Sequence, residues 1–443
     1  MPLKSVLLNS NRSRGHCRPS RALRCLAIVV ALTATAAAFA PAFAQPAPAA
    51  GDNVLTIEEA ISLARGEQPT VDAFERDATA SEEAAVAART LPDPQVTVGL
   101  QNLPVTGDMA FNPIRDDMTM YTIGVMREQV RRSRREAEAA RLRTEAVVSR
   151  AEGTAEERGI QRSVMIAWLN AVEAAAKQRL LTRILHDLEV GRQIMEAGVP
   201  TGASTPALAL QAQAEIALAQ AQLAEARGAE ARARAELARW IGDAAHLRLP
   251  DAIPVFAVPA AAARADAAED HPQVRVAEAQ EQAALRQVDS ARAERRPNIS
   301  WEVMYGWRPD YGDMVSARVT IPLQINRGRL QNRRIAEAAA RADAARLRAE
   351  GVRRELGSAF LGALADYRSA DAQLAILRDQ AIPTFEASFE AAEARYAAGQ
   401  GSLELPLNIV RRYVEAHIQS VEQQGRRARA AAEIIYLTGE TGQ

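Results

Sequence analysis

The sequence predicts a mainly α-helical chain with a small membrane β part, duplicated, in which long antiparallel helices carry two strand pairs for a β-barrel shared between chains. Three observations predict this. From Arg131 to about Ala197 there is no proline, and Ala, Arg, Glu and Leu dominate. Two pairs of short segments alternate strictly between apolar and polar residues. The order helix, strand pair, very long helix, glycine break and return helix occurs twice, at an offset close to 200 residues.

Residues 1–44 read as a secretory leader: Lys4, Arg12, Arg14, Arg18, Arg21 and Arg24 precede an apolar run from Cys25 to about Ala40, then Ala42-Phe43-Ala44. Cys17 and Cys25 both fall within it, so the expected mature chain has no thiol for a disulfide, a metal site, a nucleophile or an N-terminal lipid. Removing the leader's six basic residues leaves 48 against 55 acidic ones, about −7, which gives no footprint for nucleic acid. Aromatics are 4% and the apolar fraction leans on Ala, which favours closely packed long helices over an ordinary globular core. No segment after the leader has about 18 consecutive apolar residues, so any membrane crossing must use strands.

The first repeat spans 45–241. Thr56-Ile57-Glu58-Glu59 has the form of a capping box, and a helical pattern runs from it to about Thr90, where Pro92 and Pro94 end it. Strands are expected at about 95–103 and 118–127. A long helix follows at about 131–197, on the order of 100 Å at 1.5 Å per residue. A break at Gly198-Val199-Pro200-Thr201-Gly202 leads through Thr205-Pro206, an N-cap and N1 pair, into a return helix at about 205–240. A Pro- and Ala-rich linker occupies 242–268. The second repeat, 269–443, begins with a helix at about 271–296. Strands at about 298–307 and 313–322 follow, then a long helix at about 327–397, which Pro383 should kink, and a return helix at about 405–438. Val352, Leu356, Phe360, Ala363, Tyr367, Ala370, Leu374 and Leu377 form a heptad-like seam on the second long helix. Leu208, Ala212, Ile216, Ala219, Leu223 and Ala226 form its counterpart on the first return helix. Both stripes read as core.

In the strands, Val96, Val98, Leu100, Tyr121, Ile123, Val125, Ile299, Trp301, Val303, Tyr305, Val315 and Val319 form an apolar row expected to face lipid. The alternate positions are polar or small, with Met304 and Met314 as exceptions. A soluble sheet would need a helix over its apolar face, but the flanking helices have seams that already pair. Lipid is the remaining cover, and an open edge in lipid costs several kcal/mol per unpaired amide. Four strands cannot close around a lumen, so the barrel must be shared, with eight strands from two chains or twelve from three.

This order resembles the TolC family of outer-membrane efflux channels over nearly the whole mature chain. Leu91-Pro92-Asp93-Pro94-Gln95 with Val98-Gly99-Leu100-Gln101-Asn102-Leu103-Pro104 looks like the first strand of its heavy-metal branch, the CusC- and CzcC-like channels. Ile321-Pro322-Leu323-Gln324-Ile325-Asn326-Arg327-Gly328 resembles the family's strand-to-helix junction, and Tyr396-Ala397-Ala398-Gly399 with Ser402-Leu403 its second periplasmic turn. The resemblance implies a homotrimer in the outer membrane of a Gram-negative bacterium, with a twelve-stranded β-barrel in lipid and an α-helical barrel forming a periplasmic tunnel. Residues 242–268 would lie at the tunnel's equatorial belt. Gly198, Val199, Ser204, Gly399, Ser402 and Leu403 would form a tip that meets a periplasmic adaptor, itself joined to an inner-membrane pump of the RND type. Tyr396 matches a tyrosine that holds the family's tip shut, and Glu404 is a second gate candidate by the charged-ring logic of pores. Asn408 stands where an acidic residue is common, and Pro406 interrupts the helix start, both departures from the pattern.

The implied function is passive export of small toxic solutes, heavy-metal cations among them. Drug or organic-solute efflux and type I secretion are alternatives on the same fold. A periplasmic adaptor is a further class, but adaptors carry one helical hairpin flanked by β-rich segments, whereas two hairpins are present here. A purely structural coiled coil does not account for the aromatic strands. His186, His246, His271 and His417 are isolated and read as packing residues, so no metal or cofactor site is expected. Nor is catalysis, since there is no phosphate loop, nucleophile elbow or carboxylate pair. Arg131-Arg132-Ser133-Arg134-Arg135 reads as a solvated helix face or, from its place after a strand, as a basic collar below the membrane.

Overall fold

The computed structural model describes residues 54–66, 68–200, 202, 204–258, 269–398 and 404–439. The expected leader, the end of the linker and the second turn lie outside them.

Helix α1 is Ile57–Arg65, with the Thr56 hydroxyl accepting from the Glu59 amide at 3.2 Å. The first helix is not continuous to Thr90. It stops at Gly66, and α2, Pro69–Arg89, restarts with Pro69 in its first turn, where a missing amide hydrogen costs nothing. Strands β1, Gln95–Gln101, and β2, Met120–Gln129, form a hairpin, the second strand shifted two residues beyond the expected span. Helix α3 then runs unbroken from Arg132 to Gly198. Helix α4, Pro206–Ile241, returns along it with Thr205 as its N-cap. A 3-10 turn, Gly242–His246, follows, opened by Gly242 at φ +57° and ψ −137°, a conformation closed to residues with a side chain.

In the second half, α5 is Pro272–Ala293, and β3, Ile299–Trp307, pairs with β4, Met314–Thr320. The second long helix differs from expectation at both ends. Residues 325–330 form turns, so α6 begins at Gln331 and runs to Ile376, and a π-helical turn, Leu377–Ala381, leads into α7, Ile382–Ala397. Pro383 accounts for the π turn, because its ring lacks a hydrogen and clashes with the carbonyl four residues earlier, at Asp379. Helix α8 is Glu404–Thr438.

Both heptad seams are core. Leu356, Phe360, Ala363, Ala370 and Leu374 are buried on α6, as are Ala212, Ile216, Ala219, Leu223 and Ala226 on α4. The largest cluster surrounds Trp168 of α3, 2% exposed, with Leu55, Ile57 and Ala60 from the N-terminal side, Leu237 of α4, Leu249 and Ile253 of the linker, and Ala432 and Ile435 of α8. Its polar atoms are matched. Trp168 Nε1 donates to the Leu55 carbonyl at 3.0 Å, and Arg234 Nη1 donates to the carbonyls of Ala245 and Leu247 at 2.7 and 3.0 Å. Helices α3 and α8 are joined by Arg162 with Glu433 at 2.5 Å, Lys177 with Glu422 at 2.8 Å, and Arg429 with Glu173. Burial raises the Glu173 carboxyl above the usual carboxylate range, opposed by the Arg429 and Lys177 charges. Among the described residues no helix is long and apolar enough to cross a membrane.

Candidate functional site

The four strands form one antiparallel sheet in the order β1-β2-β3-β4, so the two halves are joined by the β2–β3 pairing. Register aligns the predicted apolar row across all four. Val96, Val125, Val303 and Ala317 lie side by side, as do Val98, Ile123, Tyr305 and Val315 one pleat further on. Toward the hairpin ends, Leu100, Tyr121 and Trp307 align, and the Tyr121 and Trp307 rings stand 5.5 Å apart. Among the described residues nothing covers this face. Val98 is 77% exposed, and Val96, Leu100, Tyr121, Ile123, Val125, Trp301, Val303, Tyr305, Val315 and Val319 are also exposed, while Ile299, beside the helices, is half-buried.

The opposite face carries Thr97, Thr122, Ser316 and an ion pair between Glu302 and Arg318 at 3.3 Å, which face each other in register. It also carries four methionines, Met120, Met126, Met304 and Met314. Two glycines make room for them: a Cβ at Gly124 would touch Met304, and one at Gly306 would meet Met120 Sδ at 2.7 Å. At the hairpin ends Arg308 ties the two loops together, donating to the carbonyls of Asp117 at 2.7 Å and Gly312 at 2.8 Å.

The strands at the sheet's sides, β1 and β4, each pair on one edge only. Because the chain order alternates direction, β4 of one copy and β1 of the next would meet antiparallel, so copies extend the sheet without changing its pattern.

At the far end of α3, Gly202 takes φ +75°, its amide donates to the Val199 carbonyl at 3.2 Å, and the Ser204 amide donates to the Gly198 carbonyl at 3.2 Å. The Thr205 hydroxyl accepts from the Leu208 amide at 3.3 Å. Gly198, Val199 and Ser204 thus share one tight turn, in which Ser204 is buried. Tyr396 ends α7 and Glu404 opens α8, but their side chains lie outside the described residues, as do Gly399, Ser402 and Leu403 altogether. The helices of the two hairpins meet alongside one another. Arg411 of α8 stands 3.8 Å from Glu215 of α4, the Tyr413 hydroxyl donates to Glu386 at 3.1 Å, and the Tyr413 and His417 rings are 4.4 Å apart. Burial pushes the His417 imidazole below its ordinary pKa.

The basic run singled out by sequence is engaged internally. Arg131 donates to the Pro297 carbonyl at 2.9 Å and Arg135 to the Arg89 carbonyl, while Arg132 pairs with Glu136 at 2.7 Å and Arg134 with Glu294 at 3.4 Å. A larger basic cluster, at 292–296 and 327–334, was legible as seven arginines against one glutamate flanking the second hairpin.

Comparison with known proteins agrees with this architecture. The family model described as outer membrane efflux protein matches residues 263–440, a span that takes in all but the last three residues of the expected second repeat. A search of curated proteins gave no significant match. Among solved structures, the outer membrane protein VceC from Vibrio cholerae superposes with a TM-score of 0.71 at 17% identity, covering 87% of this chain and 97% of VceC. CusC, whose structures describe folding and transmembrane channel formation, gives 0.72 at 18% identity over 86% of this chain and 91% of CusC. The open state of the Neisseria gonorrhoeae MtrE outer membrane channel gives 0.69 at 18% identity, covering 86% of this chain and 88% of MtrE. With the exposed four-stranded sheet and the doubled helical hairpins already in place, these superpositions fix the fold of the chain as that of a TolC-like outer-membrane channel subunit.

Proposed function

We propose that three copies of this chain form the outer-membrane exit duct of a tripartite efflux system, a passive tube worked by a periplasmic adaptor and an inner-membrane pump. The sheet carries the reading. It has a continuous apolar face that no described element covers and two unpaired edges, and both needs are met together when copies close a barrel in lipid. Three copies supply twelve strands and leave an open lumen, whereas eight would fill with their own side chains. The turns at Gly198–Ser204 and 399–403 are assigned to the adaptor-facing tip, with Tyr396 and Glu404 as gate residues. The cargo is assigned to heavy-metal cations on the resemblance of the first strand, and the four thioethers opposite the lipid face suit soft cations. An RND-type pump and a non-lipidated N-terminus belong to the same reading.

The expected absence of cysteine from the mature chain provides a clean background for a test. A cysteine pair in one chain, Thr97→Cys on β1 with Ser316→Cys on β4, and neighbouring pairs sampled along the same strands, should give oxidised ladders that stop at the trimer. Monomers only, or ladders that stop at the dimer, would overturn the trimeric barrel. For cargo, a deletion strain should lose tolerance to metal salts; unchanged metal tolerance with lost drug tolerance would place the cargo among organic solutes.

A further inference from the structure

Where α5 ends and α6 begins, directly below the second hairpin, a cavity of about 680 Å³ is lined by Arg292, Arg295, Arg296, Arg327, Asn332 and Ile335. Its charge is not balanced from within. Arg292 pairs with Asp289 at 3.3 Å, and the one acid within the two basic runs, Glu294, is shared by Arg134 and Arg334 at 3.4 and 3.7 Å. Among the described residues, the guanidiniums of Arg295, Arg296 and Arg327 have no carboxylate and no hydrogen-bond acceptor. The arginines that follow the first hairpin, 131–135, are by contrast all engaged. Guanidinium forks match phosphate oxygens two at a time, and several converging on one cavity describe a phosphate-bearing ligand.

The neighbouring chain specifies what else the ligand carries. Beyond the end of β4, Ile321, Leu323 and Ile325 follow Val315 and Val319 at alternate positions of the sequence before Arg327, and all three are exposed, Leu323 at 82% and Ile325 at 86%. Exposed apolar residues that lead along the chain from the strand row to an arginine of the cavity are an arrangement complementary to acyl chains joined to an anionic headgroup.

We infer that Arg295, Arg296 and Arg327 bind the phosphate of an anionic glycerophospholipid at the periplasmic leaflet, with its acyl chains along Ile321, Leu323 and Ile325. This rests on the membrane placement of the sheet argued above. The test uses the full chain, purified in detergent as its assembled oligomer and titrated with dioctanoyl-phosphatidylglycerol, dioctanoyl-phosphatidylcholine and inorganic phosphate. The glycerol lipid should saturate and the choline lipid should not. R295Q/R296Q/R327Q should bind it on the order of a hundredfold more weakly, while the charge-matched control R346Q/R348Q/R368Q should bind as the parent does. Oligomer size and circular dichroism confirm that the variants fold. Inorganic phosphate binding as tightly as the lipid would make this a small-anion site and overturn the inference, and so would equal affinity in parent and triple variant, or equal loss in the control. The same preparations are reconstituted into phosphatidylcholine vesicles and floated. A chain that floats with unchanged lipid affinity in the triple variant sinks the arginine site alone; one that does not float sinks the membrane reading and this inference with it.

Discussion

Around Trp168, apolar side chains from α1, α3, α4, α8 and the linker close on one another until the indole is 2% exposed. Across the sheet, an equally apolar set, from Val96 to Val319, lies open, with Val98 at 77%. The helices beside the sheet do not cover that face, because their own seams are filled by each other. A soluble monomer rarely exposes a contiguous apolar patch above roughly a few hundred Å². The difference teaches that the same residue types are arranged in two ways: one set excludes water by self-packing, and the other is left open, to be finished, on the proposed function, by lipid and by further copies.

The comparison predicts unequal costs. Trp168→Ala should lose about 3–5 kcal/mol, because the cavity is lined from several elements that cannot all collapse, and should lower the thermal midpoint of the detergent-purified protein sharply. Trp301→Ala, at a face the protein does not cover, should leave that midpoint nearly unchanged. Equal losses would mean that the sheet has protein cover after all. Val303→Arg sharpens the point from the other side. At the middle of the sheet it should cost about 2–4 kcal/mol of insertion into bilayers and almost nothing in urea unfolding of the helical part. Measured by vesicle flotation, undiminished insertion would remove Val303 from the lipid face.

The fold class was legible because the hydrophobic period changes from 2 in the strands to about 3.5 in the helices, and because prolines and glycines mark the joins. Leu356, Phe360 and Leu374 could therefore be placed in a core from spacing alone. Legibility failed where one residue has two structural meanings. Pro69 opens a second helix rather than lying inside one continuous helix, and Pro383 widens the turn before it instead of simply bending the axis. It failed again where partners are remote. Lys177 and Glu422, 245 residues apart, give no local signal, and the same holds for Arg429 with Glu173. Of the candidate site, the exposed apolar row is readable from alternation, and the tight turn at Gly198–Ser204 from its glycines. The roles of Tyr396 and Glu404 rest on resemblance, since a gate is a relation between copies that no single chain's pattern encodes.

The smallest predicted effect concerns acid, and it should separate the two regions without touching the sheet. His271 caps α5, its Nδ1 accepting from the Gln273 amide at 3.2 Å, and its ring stands edge-on to Tyr436 at 4.7 Å. Burial, helped by the nearby Arg158 charge, lowers its pKa to about 4 from an ordinary value near 6.5. The folded state therefore keeps the imidazole neutral where the unfolded chain takes up a proton. The stabilisation is complete above pH about 6.5, falls as pH drops through that value, and is gone below about 4, the loss reaching about 2 kcal/mol by about pH 5. His271→Asn, which retains an N-capping side chain, should flatten the dependence of the melting midpoint on pH across this window. Wild type and variant losing stability in parallel would show that acid acts elsewhere, the α3–α8 ion pairs being the first place to look. If the flattening is seen while the sheet's lipid insertion is unchanged across the same acid range, the covered and uncovered faces are energetically independent, as expected of regions that answer to different solvents.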